Sequence, residues 1–202
     1  MKKLILLFLC VFSYFSNIDA QIFWTNIVGN SIGKVDVDGS NLNNIFISGL
    51  TNQPGGGIVV DLANNKLLWV EPSGGTIARA NLDGTGVNSN FITGLSSPNS
   101  LAIDAANGKI YWATMGGPGT GTIGQANVDG TGVNALITGL DALNGIAIDE
   151  TNGKILWADA TNATIARANL DGTGIEPSFI ATTGPQGIDV DGTNGKIYWA
   201  TV

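Results

Sequence analysis

The sequence predicts an all-β chain, a β-propeller of four-stranded blades, on three observations. All five tryptophans recur at a nearly fixed interval: Trp24, Trp69, Trp112, Trp157 and Trp199 lie 45, 43, 45 and 42 residues apart. Between them the apolar runs are short, rich in Ile, Val, Leu and aromatics, and bounded by Gly, Asn, Asp and Pro. That is the punctuation of strands and tight turns, and no stretch is both long enough and free enough of Gly for a helix. The segment TIARANLDGTG stands at residues 76–86 and again at 164–174, two periods later. Four strands in such a period match a propeller blade, whose sheets pack face to face around a channel.

Taken in order, the chain opens with Lys2 and Lys3, an apolar run over residues 4–15, and polar residues ending in Ala20. This reads as a secretory signal peptide over residues 1–20, cleaved before Gln21. The run falls short of the roughly 20 residues needed to span a bilayer. The expectation is therefore an exported protein, secreted, periplasmic or cell-surface, with no membrane span after signal removal.

Residues 21–202 then read as one series of repeats, with Trp strands starting near 22, 66, 109, 154 and 196. Each unit runs through a GIAID-like strand, a KILW-like strand carrying the Trp, a TIARAN-like strand, an Asp-Gly turn and an FI or LI run. Ile77, Arg79 and Asn81 alternate with Ala78, Ala80 and Leu82, the period-2 register of a strand. The first unit starts at its Trp strand and the last stops after two strands, so seventeen strands are expected in groups of 3, 4, 4, 4 and 2. About four blades are thus present. An incomplete ring or open arc is the favoured arrangement, and four-bladed closure the second. Open blade edges would allow self-association, and a truncated fragment without independent function is a third reading.

Residues 22–202 resemble the class B, or YWTD, repeats of the low-density lipoprotein receptor. The residues that carry the resemblance are KIYWAT at 109–114, KILWAD at 154–159, the ARANLDG segments, and the SLAID and GIAID strands. The YWTD column reads FWTN, LWVE, YWAT, LWAD and YWAT, so Trp alone is kept in every copy. The resemblance implies a β-propeller, normally of six blades, and a role in extracellular ligand recognition.

Composition narrows the function. Without residues 1–20 the chain has 7 basic and 15 acidic residues, a net charge of −8, no His, and no Cys, because Cys10 lies in the leader. So acidic a chain does not suit a nucleic-acid backbone. No Ser-His-Asp or Cys-His nucleophile can be assembled. The basic residues fall in two repeat columns: Lys66, Lys109, Lys154 and Lys196 precede Trp by three, whereas Lys34, Arg79 and Arg167 follow a repeated Ile by two, with Gln125 in the remaining copy. They read as scaffold, covering apolar surface with their stems.

Two acidic columns are also periodic. Asp38, Asp83, Asp129 and Asp171 stand in Asp-Gly turns, where the carboxylate bonds local backbone. Asp61, Asp104, Asp149 and Asp191 end the GIAID-like strands, and four carboxylates around one mouth of a channel are also a candidate cation site. Asp189 replaces the Val59, Ala102 and Ala147 of the other copies. With Asp191 it forms a candidate metal pair on one strand face, for which Ca2+ is the fitting ion. Asp36, Asp141, Glu150 and Glu176 depart from the repeat and read as loop or edge charges.

GTGTIG at 119–124 satisfies a dinucleotide pattern but overlaps a strand and opens no helix, so it carries no nucleotide reading. The longer loop containing Met115, Gly116, Gly117, Pro118 and Gly119 is the candidate recognition loop. Asn162-Ala163-Thr164 is the single glycosylation sequon that follows from the pattern. The function expected is a non-catalytic binding module for an extracellular protein or glycan, with no catalytic residue and no cofactor. The alternative is a metal-dependent propeller enzyme, of lyase or lactonase type, with carboxylates at the channel mouth.

Overall fold

The computed structural model describes residues 20–202, so the predicted leader, apart from Ala20, lies outside the described residues. Seventeen strands form five antiparallel sheets in the grouping 3, 4, 4, 4 and 2. Sheet 1 holds β1 (Gln21–Asn26), β2 (Ser31–Asp36) and β3 (Asn43–Ile47). Sheet 2 holds β4 (Ile58–Asp61), β5 (Lys66–Glu71), β6 (Thr76–Asn81) and β7 (Asn88–Ile92). Sheet 3 holds β8 (Pro98–Asp104), β9 (Lys109–Thr114), β10 (Gly121–Asn127) and β11 (Asn134–Leu140). Sheet 4 holds β12 (Leu143–Asp149), β13 (Lys154–Asp159), β14 (Thr164–Asn169) and β15 (Glu176–Ala181), and sheet 5 holds β16 (Pro185–Asp191) and β17 (Lys196–Thr201). Every sheet is a simple meander, so successive turns alternate between its two ends.

The Trp position explains the packing. In the strand registers Trp24 opposes Gly33, Trp69 opposes Ala78, Trp112 opposes Gly124, and Trp157 opposes Ala166. Where that residue is Gly the ring lies across it; a Cβ added to Gly33 or Gly124 would sit 2.3 Å from the Trp24 or Trp112 ring. In sheets 2, 3 and 4 the ring is covered by the preceding sheet. Trp69 packs with Phe23, Ile32 and Ile47 of sheet 1, Trp112 with Val59, Leu68 and Ile77 of sheet 2, and Trp157 with Tyr111, Ile123 and Ile137 of sheet 3. A fourth cluster joins Leu156, Ala158 and Ile165 of sheet 4 to Ile188 of sheet 5.

Inner strands β4, β8, β12 and β16 meet in sequence order, and β1 meets β4. Side-chain amides stitch them at one end: Asn99 Nδ2 donates to the Asn144 carbonyl at 3.0 Å, and Asn144 Nδ2 to the Pro185 carbonyl at 3.2 Å. The outer pair of each three- or four-stranded sheet carries a register shift, which adds local twist. The arc is open. Trp24 is half-buried and Trp199 is 38% exposed, whereas Trp69, Trp112 and Trp157 are buried.

Burial sets the expected costs. Trp157→Ala removes a fully covered ring and should destabilise the chain by about 3–5 kcal/mol. Trp199→Ala should cost less than half as much, since that ring is already partly solvated. Urea unfolding of the two variants checks the ranking.

Candidate functional site

The repeated segment builds a hydrogen-bonded chain at the end of each sheet that carries the Asp-Gly turns, called here the lower end. In sheet 2, Lys66 Nζ donates to Asn81 Oδ1, Asn81 Nδ2 donates to Thr85 Oγ1 at 2.9 Å, and Thr85 Oγ1 donates to Asp83 at 2.7 Å. The same order runs through Lys109, Asn127, Thr131 and Asp129 in sheet 3, and through Lys154, Asn169, Thr173 and Asp171 in sheet 4. Asp38 accepts from the Ser40 amide. Gly130, at φ +90°, lets its turn rest on Phe91 of the preceding sheet, where a Cβ would approach the ring to 2.7 Å. These bonds, foremost the Thr hydroxyl and then its amide, hold the carboxyls of Asp83, Asp129 and Asp171 below the usual carboxylate range.

The second basic column stacks on aromatics. Lys34, Arg79 and Arg167 lie 4.4, 4.0 and 3.7 Å from the ring centres of Phe46, Phe91 and Phe179. Where Gln125 replaces the cation, Leu136 replaces the ring, a paired exchange readable in the sequence once the two columns are known to touch. Sheet 1 shows a similar exchange. Gln21 and Asp36 stand where the other sheets have Lys and Asn, and Gln21 Nε2 donates to Asp36 Oδ1 at 2.9 Å. Asp36 is therefore a buried, doubly bonded group that also accepts from Asn41, and the expectation of a loop or edge charge is corrected.

The candidate metal carboxylates do not converge. Asp61, Asp104, Asp149 and Asp191 each accept the backbone amide and side-chain Nδ2 of the Asn three residues later, Asn64, Asn107, Asn152 and Asn194. Each staples its own turn. Among the described residues no three His, Cys, Asp or Glu side chains are grouped to hold a metal ion. Among the described residues Asp189 accepts only from the Val190 amide, at 2.9 Å. Partial withdrawal from water, with Asp191 adding repulsion, pushes its carboxyl above the usual range although the residue keeps solvent contact. Its counterparts Val59, Ala102 and Ala147 are buried against the following sheet.

The upper end is built differently. Loops 27–30, 72–75, 115–120 and 160–163 differ in sequence from sheet to sheet. Glu71 and Asp159, at strand ends beneath them, are buried. Glu71 accepts from Asn52, Trp69 Nε1 and Thr76, and Asp159 accepts from Asn162. Sequence reasoning passed over Glu71, although its place in the YWTD column, as LWVE, was the available signal. The loop of Met115, Gly116, Gly117, Pro118 and Gly119 is braced. Met115 N donates to the Ser97 carbonyl, and Gly119 N donates to Asp141 Oδ1 at 2.8 Å, while Asp141 Oδ2 accepts from Asn162 Nδ2 at 2.7 Å. The sequon asparagine is thus part of this brace. Glu150 accepts from the Ala105 amide between sheets, and Glu176 forms a two-bonded ion pair with Arg167.

Solved structures share this arrangement of sheets. A chain of a nidogen/laminin complex superposes with a TM-score of 0.80 at 24% identity, over 91% of this chain and 68% of that one. The chain folds as a β-propeller. A gluconolactonase from Xanthomonas campestris matches with a TM-score of 0.72 at 19% identity, over 91% and 66% of the two chains. The calcium-binding protein regucalcin from Agrobacterium tumefaciens matches with a TM-score of 0.72 at 18% identity, over 91% and 64%. The chain thus spans about two thirds of the length of these neighbours. At such identities the likeness is one of fold. No protein-family description matches the sequence, and no curated protein matches it either. No described helix is long and apolar enough to cross a membrane.

The turn carboxylates give a pH signature. Their folded pKa is depressed, so their contribution is present above about pH 4 and is lost as pH falls through the folded value. Replacing Thr85, Thr131 and Thr173 together by Val removes the leading cause. The triple variant should be less stable at neutral pH and should lose less stability between about pH 4 and pH 2. Urea midpoints across that range check the sign.

Proposed function

We propose that this chain is a non-catalytic, exported β-propeller of YWTD-like repeats that binds another extracellular macromolecule through the loops of its upper end. The observation that carries this reading is the employment of the charged groups. All fifteen carboxylates between Asp36 and Asp191 accept at least one hydrogen bond from within the chain. Among the described residues, six of the seven basic side chains bond an Asn, a carboxylate or an aromatic ring; Lys196 is the exception. Most of these groups brace turns and strand ends, whereas the upper loops vary on a rigid frame, the usual setting of recognition. The nidogen/laminin neighbour supports a role in protein interaction by analogy of fold.

The enzyme alternative makes a separate demand. A metal-dependent lactonase or lyase needs an ion at the channel mouth, and an ion bound only by the folded state raises its thermal midpoint. The binding reading predicts no midpoint shift with millimolar Ca2+, Mg2+ or Mn2+, and no turnover in a lactone and polysaccharide-lyase substrate screen. Metal-dependent turnover that disappears in Asp189→Asn or Asp191→Asn would overturn it.

A further inference from the structure

We infer that the free edge of β17 is a binding site for an extended peptide segment of another protein, taken up as an added antiparallel strand. The site lies apart from the upper loops and does not depend on their role. Among the described residues β17 pairs with β16 alone, whereas β5, β9 and β13, the matching strands of sheets 2 to 4, each pair on both sides. The difference shows in burial. From their second residue on, β5, β9 and β13 are buried throughout, but Lys196, Tyr198, Trp199, Ala200 and Thr201 of β17 are exposed. An unpaired edge is a template for strand addition, in which main-chain hydrogen bonds supply affinity and alternate side chains supply specificity.

What covers such an edge is written three times in the same chain. Along each of β6, β10 and β14 run an Ile, then a Gly or Ala opposite the Trp, then an Arg or Gln, then an Ala, and an Asn opposite the Lys. At β17 the positions that these residues would meet are open. Trp199 is 38% exposed where Trp69, Trp112 and Trp157 are buried, and its ring is already held by a 3.1 Å bond from Nε1 to Thr182 Oγ1. Lys196 has no partner among the described residues, although Lys66, Lys109 and Lys154 each bond the Asn of the next strand. Asp189 narrows the choice further. It stands opposite Tyr198, in the row where an incoming strand puts its long polar residue and where the other sheets hold Val59, Ala102 and Ala147. Two strand spacings, about 10 Å, separate those backbones. An Arg and an Asp side chain together span that gap, so a basic residue fits better there than Gln. The segment that fits therefore reads Ile, Gly or Ala, Arg or Lys, Ala, Asn. A second copy does not supply it, because its own strands of this pattern lie inside sheets. Nor does edge-to-edge pairing of two β17 strands about a twofold axis, which sets Ile197, Trp199 or Thr201 opposite Trp199 and never a small residue.

A synthetic peptide with the sequence of residues 75–84, which carries the β6 strand, tests this when its fluorescein-labelled form is titrated with the full chain and followed by anisotropy. Saturable binding is expected. The unlabelled peptide contains no Trp, and it should shift the tryptophan emission of the parent chain to the blue but not that of Trp199→Phe, whose thermal midpoint reports that it folds. Ala78→Leu in the peptide puts a large side chain against Trp199 and should weaken binding about tenfold or more. Arg79→Glu in the peptide sets a second carboxylate beside Asp189 and should weaken binding by a similar factor, part of which Asp189→Asn in the chain should restore. A peptide of the same composition in scrambled order should not bind. The absence of saturable binding, equal binding of the Ala78→Leu, Arg79→Glu or scrambled peptide, or an emission shift retained in Trp199→Phe would overturn the inference. So would dimerisation of the chain that buries Trp199 with no peptide present, since a second copy would then occupy the edge. Neither result bears on the upper loops, which the peptide does not reach.

Discussion

The covering of the Trp69, Trp112 and Trp157 rings by the sheet before each is the contact on which the rest of the structure depends. The next strand offers Gly or Ala opposite each of these rings, which leaves room for an indole that presents a broad apolar face to its neighbour. A sheet alone cannot bury that face, so stability is shared between neighbours as in other repeat architectures. The near-constant interval between tryptophans follows: each copy must deliver its ring at the same height on its own sheet. Small residues opposite Trp, short inner strands and register shifts in the outer pairs all serve that stacking.

Stacking also decides where charge can go. Sheet faces are closed to it, so charged groups collect at the strand ends and along the outer strands, where they bond to one another or to Asn, Thr and aromatic partners. The lower end is the more demanding, since it must reverse the chain twice per sheet, and the repeated Asp-Gly and Asp-Asn devices do so with local hydrogen bonds. Those devices need the Asn, Asp-Gly and Thr of the segment, which recur in sheet 3 as in the two TIARANLDGTG copies. The upper end reverses the chain with loops of several lengths and compositions, and is left free to vary.

Much of the fold was legible because its period is carried by a rare residue. Five tryptophans, Asp-Gly turns and alternating strands such as TIARAN announce strand number and order without any knowledge of contacts. The candidate site was less legible, for a physical reason: a carboxylate's partner is set by three-dimensional proximity. Asp61 and its equivalents looked able to face a channel, yet an Asn three residues on captures each of them. Asp36 looked like an edge charge because the Gln21 that satisfies it lies on another strand, and Glu71 was passed over because its partners come from three separate segments. The asymmetry between the two ends was latent in the sequence, but it appears only when alternate turns are assigned to opposite ends.

The central claim is that the repeated columns are scaffold and the upper loops are separable from it. The thermal midpoint of a chain in which residues 115–120 are replaced by Pro-Ser-Gly-Gly, the corresponding loop of the preceding sheet, tests this most directly. The account predicts a midpoint within about 6 °C of the parent, the shift expected for the loss of roughly two hydrogen bonds, those of Met115 N to Ser97 and Gly119 N to Asp141. A fall of roughly 10 °C or more would contradict it, since it would show that the varied loop, like the repeated turns, is part of what holds the propeller together.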